Sequence, residues 1–183
     1  MQDLAPWSLP VFLASTSLAV LWGHAALHKW LDLDAWRAQL AAYGAGRVGA
    51  TVAVAALVLP MLETGLAVGL LGAWRMQAAW GSAVLLAVYA LGMAQQVWLG
   101  RETDCGCGGM ALPVSWPLVA RNLVLVAWSA VAAQPASWVG GSLTDVIGLA
   151  LALLSCVLLY TALHQVLRHR AWMRAQDLQR RGM

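Results

Sequence analysis

The chain has 183 residues, of which 61% are hydrophobic and only 10% are charged, and its formal net charge is +3. The mean hydropathy is +0.70. Soluble domains carry about 25% charged residues, so this composition excludes a soluble globular domain and predicts an all-α integral membrane protein. The basic residues stand beside apolar runs, which suits contact with anionic lipid and not with nucleic acid.

Five apolar runs, each nearly free of charge, are long enough to cross about 30 Å of hydrocarbon as helices. They cover approximately residues 9–27, 49–71, 78–99, 116–133 and 143–163. No Lys or Arg precedes the first run, so we expect a retained helix and not a signal sequence. The sequence predicts one membrane domain over residues 1–183, a polytopic bundle with a four-helix core and a fifth transmembrane helix.

Residues 28–46, between the first two runs, have an amphipathic pattern. The apolar positions are Trp30, Leu33, Trp36, Leu40 and Tyr43, and the polar positions are Asp32, Asp34, Arg37 and Gln39. This spacing predicts an interfacial helix that ends at Gly44 and Gly46. The alternative is a linker whose apolar stripe packs on the bundle. Both interpretations place a lid-like element beside one end of the bundle.

Two short connections predict tight antiparallel hairpins. The first lies around Arg75, between the second and third runs, and the second covers residues 134–141. Residues 164–183 form a tail with five arginines, which predicts a solvated helix or one that binds lipid headgroups.

The loop over residues 103–109, between the third and fourth runs, carries Cys105 and Cys107 one residue apart. A disulfide between them would close a very small ring, and the resulting strain would make it a labile oxidant. Gly106 eases the backbone restriction on closure, while Asp104 would disfavour the thiolate of a neighbouring cysteine. The pair therefore predicts thiol–disulfide exchange.

Two alternatives to redox chemistry in this loop are a metal site and an inert polar loop. A closed metal site needs three or four ligands, which the loop supplies only if His24 or His28 folds in. The third cysteine, Cys156, lies within the last run and is expected to behave as a small hydrophobe, with a second-line thiol or a palmitoylation site as the alternative.

Glu63 is the clearest ionisable residue inside an apolar run, and it follows Pro60 in the second run. An ionisable side chain at the bilayer centre costs about 2.5–3.5 kcal/mol on insertion scales, so Glu63 calls for a partner. Lys29, at the end of the first run, is the natural counter-ion, unless it extends to the membrane surface.

Arg121 and Asn122 fall near the start of the fourth run, the helix that follows the cysteine loop. Arg121 could favour a thiolate, pair with Glu63, or hold an anionic or quinone-like ligand, and the alternative is that it extends to the interface. His24 and the pair Gln95 and Gln96 are weaker candidates, more typical of polar side chains satisfied within a bundle.

Four stretches of this sequence together resemble the methylamine-utilisation MauE family. They are residues 29–32, Glu63, Asp104 to Cys107, and Ser115 to Asn122. Gly108 departs from the family pattern, in which an aromatic residue is expected. The resemblance covers nearly the whole chain, and the family is in turn similar to the DoxX-like and vitamin K epoxide reductase-like helical bundles.

The resemblance implies a thiol–disulfide relay that works with a thioredoxin-like, membrane-anchored partner (MauD-like). The indirect client would be the small subunit of periplasmic methylamine dehydrogenase, whose disulfides the relay would help to form. Cys105 and Cys107 would be the catalytic pair, supported by Asp104, Arg121, Asn122, Glu63 and Lys29, with no metal. Arg121, Asn122 and Glu63 are the candidates for binding a quinone cofactor.

Other functions stay open at this point. One is a non-catalytic membrane scaffold that recruits the thioredoxin-like partner, and another is a DoxX-like quinone-reactive subunit. Transport is disfavoured, because no second broken helix accompanies Glu63.

The charge distribution and the family resemblance disagree about which side of the membrane the cysteine loop faces. Lys29, Arg37, Arg47, Arg101 and the tail arginines all fall on the loop's side, against Arg75 on the other. The positive-inside rule assigns that side to the cytoplasm, whereas the family resemblance assigns it to the periplasm. We expect a multi-pass protein of the bacterial inner membrane with the loop in the periplasm.

Overall fold

The computed structural model describes residues 8–43, 49–101 and 113–136, together with scattered positions between 147 and 173. Within the three continuous ranges the chain forms five α-helices. They are α1 Ser8–Leu31, α2 Leu33–Ala42, α3 Gly49–Leu71, α4 Arg75–Trp98 and α5 Trp116–Ala132. No β-strand occurs in the described part of the chain, and the predicted all-α class is confirmed.

In the described part of the chain, three helices are long and apolar enough to cross a membrane: Leu9–Leu31 within α1, Gly49–Leu71 and Arg75–Trp98. The fourth predicted span corresponds to α5, which is apolar but has 17 residues, the lower limit of length for crossing. The fifth, residues 143–163, is described only at scattered positions, which are helical.

The bounds of α1 differ from the prediction, which ended the first span at residue 27. The helix continues through His28 and Lys29 to Leu31. Hydropathy ends a span at the first charged side chain, but Lys29 is only 5% exposed and its charge is paired with a carboxylate. Tertiary pairing therefore lengthens the helix beyond the apolar run.

The four long helices form a ring. Helix α1 packs on α3 and α5, and α4 packs on the same two helices, so that α3 and α5 lie diagonally opposite. Trp22, Leu18, Leu70 and Leu86 are buried between them. Large apolar side chains such as Val68 remain exposed on the outer surface, which suits contact with lipid tails.

Helix α2 corrects the prediction of one helix over residues 28–46. The chain breaks at Asp32, whose side chain accepts a hydrogen bond from the Ala35 backbone N–H at 3.0 Å and so begins a new helix. Trp30 consequently belongs to α1, where its indole N–H donates to the Thr64 hydroxyl at 3.3 Å. Helix α2 ends at Ala42, and Gly44 and Gly46 lie outside the described residues.

The apolar side of α2 faces the bundle. Trp36 is buried, and the Tyr43 carbonyl accepts a hydrogen bond from Gln96 Nε2, near the end of α4, at 3.5 Å. Of the two interpretations of this segment, the contacts favour the one in which its apolar stripe packs on the other helices.

The first predicted hairpin joins α3 to α4 at a close approach of the two helices. A Cβ placed on Gly69 would lie 2.9 Å from the Ala78 Cβ. The Arg75 guanidinium donates to the carbonyls of Ala132 and Gln134, the latter at 2.9 Å, and so caps the C-terminal end of α5. The second predicted hairpin, residues 134–141, lies largely outside the described residues.

Helix α4 ends at the opposite end of the bundle, in a glycine C-cap. Gly100 has φ +64°, its N–H donates to the Val97 carbonyl at 3.1 Å, and the Arg101 N–H donates to the Gln96 carbonyl at 3.1 Å. This is the Schellman arrangement, which requires a left-handed residue and therefore favours glycine. We call this the loop end: the end where α4 stops at Trp98 and α5 starts at Trp116.

Candidate functional site

A cavity of about 210 Å³ lies inside the helix ring, and all five helices contribute to its lining. We call it the bundle cavity. Its charged and amide side chains are Lys29, Glu63, Arg121 and Asn122, and most other lining residues are aromatic or aliphatic. The four residues that the sequence singled out inside or beside the apolar runs thus converge on one space, although they come from three different helices.

Lys29 and Glu63 form a buried ion pair through Lys29 Nζ and Glu63 Oε1, with side chains 5% and 0% exposed. The structure therefore supplies the counter-ion that the sequence predicted for Glu63. Tyr89 donates its hydroxyl to the same carboxylate oxygen at 2.7 Å. A buried ion pair is tolerated when additional hydrogen bonds satisfy its charges, and Tyr89 provides one of them.

The Lys29 ammonium also lies against two aromatic rings. Its nitrogen is 4.7 Å from the centre of the Trp36 ring and 5.5 Å from the centre of the Tyr89 ring. Both distances permit cation–π attraction, which strengthens when the cation is desolvated. Through Trp36, helix α2 acts as a cover over the ion pair.

Arg121 and Asn122 lie less than two turns after α5 begins. Asn122 is 2% exposed. Arg121 lines the bundle cavity, donates to the Tyr160 hydroxyl at 3.3 Å, and places its guanidinium carbon 5.6 Å from the centre of that ring. These contacts favour an Arg121 that turns into the bundle over the alternative in which it extends to the membrane surface. Tyr160 belongs to the predicted fifth span, so this contact ties that segment to α5.

Three residues that line the cavity each carry a buried polar atom without a hydrogen-bond partner. These atoms are Trp36 Nε1, Glu63 Oε2 and Asn122 Nδ2. Buried polar groups in proteins are nearly always hydrogen-bonded to protein, water or ligand. Among the described residues that line the cavity, these are two donors and one acceptor that no described group satisfies.

The predicted catalytic pair, Cys105 and Cys107, lies outside the described residues, as does Asp104. Their segment connects Arg101, just after α4, to Pro113, just before α5. It is therefore attached to the bundle at the loop end. Cys156 also lies outside the described residues, and the roles of all four residues stay predictions.

The weaker candidates lie elsewhere. The His24 and His28 rings meet edge to face with centroids 4.6 Å apart, and neither lines the bundle cavity. No group of three or more metal-ligating side chains occurs among the described residues. Gln96 is buried and bonded to the Tyr43 carbonyl, while Gln95 is exposed.

Tyr89 was not predicted from the sequence as a site residue. It lies in the middle of an apolar span, whereas tyrosines of membrane proteins concentrate at the headgroup level. A tyrosine at mid-span needs a partner for its hydroxyl, and Glu63 was the obvious acceptor. Trp36 was assigned to an apolar stripe, but its position over Lys29 depends on the break at Asp32.

The fold and the cavity together define a helical, multi-pass membrane protein that holds a buried ion pair beside a small internal cavity. The family model described as "Methylamine utilisation protein MauE" matches residues 8–135. The chain belongs to this family, as the sequence motifs predicted.

Three curated relatives support the assignment, and each carries the name "Methylamine utilization protein MauE". The protein of Paracoccus denitrificans is 39% identical over 152 residues, which cover 79% of this chain and 77% of the relative. That of Paracoccus versutus is 35% identical over 147 residues, covering 77% and 76%. That of Methylorubrum extorquens is 40% identical over 113 residues, covering 58% and 61%. No solved structure matches the chain significantly.

Proposed function

We propose that this protein is a membrane thiol–disulfide relay in which Cys105 and Cys107 exchange with a thioredoxin-like, membrane-anchored partner (MauD-like). The relay would support disulfide formation in periplasmic methylamine dehydrogenase. The observation that carries the proposal is a juxtaposition: the segment with both cysteines is attached at the loop end, and α5, which follows it, brings Arg121 and Asn122 into the bundle cavity within two turns.

Exchange would transfer two electrons from the reduced partner to this protein. A thiolate of the reduced partner attacks one sulfur of a Cys105–Cys107 disulfide, that S–S bond breaks, and a mixed disulfide forms. The partner's second thiolate then attacks the partner's own sulfur in the mixed disulfide and displaces the loop cysteine as a thiolate, which leaves the partner oxidised and Cys105 and Cys107 as a dithiol. Restoring the disulfide removes two electrons and two protons, for which a lipid-soluble acceptor such as a quinone is suited.

The proposal is tested by replacing each cysteine in a methylamine-using bacterium that lacks its own copy of the protein. We expect Cys105→Ser and Cys107→Ser to abolish the accumulation of disulfide-bonded methylamine dehydrogenase small subunit, and to leave the partner reduced when thiols are trapped by alkylation. Cys156→Ser is the matched control and should support maturation at the wild-type level. Full maturation with both loop cysteines replaced would refute the relay.

The same experiment separates the relay from a non-catalytic scaffold. The Lys29–Glu63–Tyr89 cluster favours the scaffold, because it joins α1, α3 and α4 and would hold these helices in one arrangement for the partner to bind. A scaffold would tolerate serine at both loop positions but would lose its partner when the ion pair is removed.

Orientation is tested by labelling intact cells with a membrane-impermeant maleimide before and after reduction. Labelling of Cys105 or Cys107 only after reduction is expected for a periplasmic disulfide. Labelling that requires a permeabilised inner membrane would place the loop in the cytoplasm, as the positive-inside rule indicates.

A further inference from the structure

We propose that His24 and His28, near the C-terminal end of α1, form a binding site for a divalent transition-metal ion such as Cu²⁺ or Zn²⁺. The two histidines are four residues apart, so they lie on one face of the helix, one turn from each other. Imidazole is a preferred ligand of these ions, and two histidines at this helical spacing recur in zinc sites. The site uses neither the lining of the bundle cavity nor the cysteine pair, so the inference goes beyond the proposed function and does not rest on it.

The two rings already stand at a separation that suits chelation. Their centroids are 4.6 Å apart, and the ring planes meet at 82°. An ion bonded to one nitrogen of each ring at about 2.0–2.1 Å, with roughly 90–110° between the bonds, holds the ring centres about 4.5–5.2 Å apart. The torsion that turns a histidine ring has a broad energy minimum, so ring rotation alone can direct one nitrogen of each toward a shared ion.

The ring nitrogens of the pair are not engaged by the described part of the chain. Neither imidazole forms a hydrogen bond or an ion pair with another described residue. Ionisable side chains within membrane-spanning segments are expected to have partners, and the neighbouring Lys29 has one in Glu63. The edge-to-face contact between the two rings leaves their nitrogens unused, whereas a metal ion would take one nitrogen from each.

A metal ion can reach the pair from the membrane surface. His24 is exposed and His28 is half-buried, and the neighbouring Leu27 is 55% exposed. The His28 carbonyl accepts a hydrogen bond from the Asp32 N–H at 3.2 Å, so the pair lies within two turns of the start of α2. Asp32 and Asp34 are exposed there, and their negative charge raises the local concentration of cations.

The pair supplies two ligands, fewer than the four of a closed zinc site. Because no group of three or more metal-ligating side chains occurs among the described residues, we assign the remaining positions to water or to a ligand from another molecule. An ion held by two protein ligands exchanges with the solution. Cu²⁺ should bind more tightly than Zn²⁺, in the general order for nitrogen ligands, and Mg²⁺, which prefers oxygen, should not compete.

Binding is tested with the full chain, free of tags, in lipid nanodiscs. All three cysteines are replaced by serine, so that thiols neither bind nor reduce Cu²⁺. We expect a saturable Cu²⁺ site whose electron paramagnetic resonance spectrum shows the nitrogen splittings of two imidazole ligands. Zn²⁺ should displace the Cu²⁺ at higher concentration, whereas an excess of Mg²⁺ should leave it in place. Zn²⁺ titration of the chain with its natural cysteines alkylated checks that the serines do not create the site.

Two variants each remove one ligand. His24→Gln and His28→Gln should each weaken Cu²⁺ binding about tenfold or more, because the chelate is reduced to a single imidazole. Cu²⁺ should also raise the Tm of the protein with both histidines but not that of either variant, since an ion that binds the folded state stabilises it. His169→Gln is the matched control: it makes the same change at an exposed histidine outside α1 and should leave the site intact.

Equal Cu²⁺ affinity with and without either α1 histidine would overturn the inference. Displacement by Mg²⁺ would also overturn it, because the ion would then be held by carboxylates and not by imidazoles. A spectrum with the splitting of a single nitrogen in the protein that keeps both histidines would refute the chelate.

Discussion

Glu63 lies where no bulk water reaches it, and its charge depends on side chains from other helices. Lys29 supplies the opposite charge from α1, Tyr89 a hydrogen bond from α4, and Trp36 a ring over the lysine from α2. Transferring a charge from water into the protein interior costs free energy, which the opposite charge offsets. If one partner is removed, the desolvation cost of the remaining charge is no longer compensated.

Removing one member of the ion pair should therefore destabilise the protein strongly. We expect Lys29→Met to lower the free energy of unfolding by about 3–5 kcal/mol, because it leaves a buried carboxylate without its cation. The measurement is SDS-induced unfolding in detergent micelles.

The control for this change is the double variant Lys29→Met, Glu63→Met, which removes both charges and should be close to the wild type in stability. Equal stability of the single and the double variant would show that the pair is not structurally important.

At the scale of elements, α3 and α4 pack closely because α3 carries glycine where they meet. The Gly69 position has no room for a methyl group, since its Cβ would lie 2.9 Å from the Ala78 Cβ, an atom that cannot rotate away. Gly65, one turn earlier on the same helix, faces open space. Two glycines of one apolar run thus have different roles, which sequence alone does not distinguish.

This difference predicts opposite effects of the same substitution. Gly69→Ala should cost about 1–3 kcal/mol, the usual range for overpacking, because the two helices must separate. Gly65→Ala should be neutral or raise stability by about 0.5–1 kcal/mol, since alanine stiffens a helix. Unfolding curves of the two variants check the prediction, and similar curves would contradict the close approach.

At the scale of the whole molecule, α4 and α5 are connected differently at the two ends of the bundle: by the chain at one end and by hydrogen bonds at the other. At the loop end, the connection between α4 and α5 carries the cysteine pair. At the other end, Arg75 of α4 donates to carbonyls at the C-terminal end of α5. The cation also compensates the partial negative charge of that helix terminus.

Arg75 should therefore contribute to the assembly of the ring. We expect Arg75→Ala to cost about 1.5 kcal/mol, the lower end of the range for hydrogen bonds to charged groups, because its bond to Gln134 is exposed. Arg37→Ala is the control: its ion pair with Asp34 lies on the surface, and its loss should cost less than about 0.5 kcal/mol. Equal losses in unfolding free energy would argue against a special role for Arg75.

The sequence by itself determined the membrane class and the bounds of α3, and it predicted Lys29 as the counter-ion of Glu63. The membrane class and the bounds of α3 follow from the free energy of transferring each residue into hydrocarbon. This quantity can be summed along the chain without knowing which other residues each side chain contacts. The family was predicted from short sequence motifs, which can also be read without the tertiary structure. The cysteine pair was also visible in the sequence, and its chemistry stays a prediction.

Only the tertiary structure decided what depends on which helix faces meet. The break at Asp32 turns Trp36 onto Lys29, the α1–α3–α4 contacts bring Tyr89 to Glu63, and α5 turns Arg121 toward the bundle cavity. Apolar periodicity cannot fix these rotations, because in lipid both faces of a helix are apolar. The bundle cavity exists only because five helices meet around it.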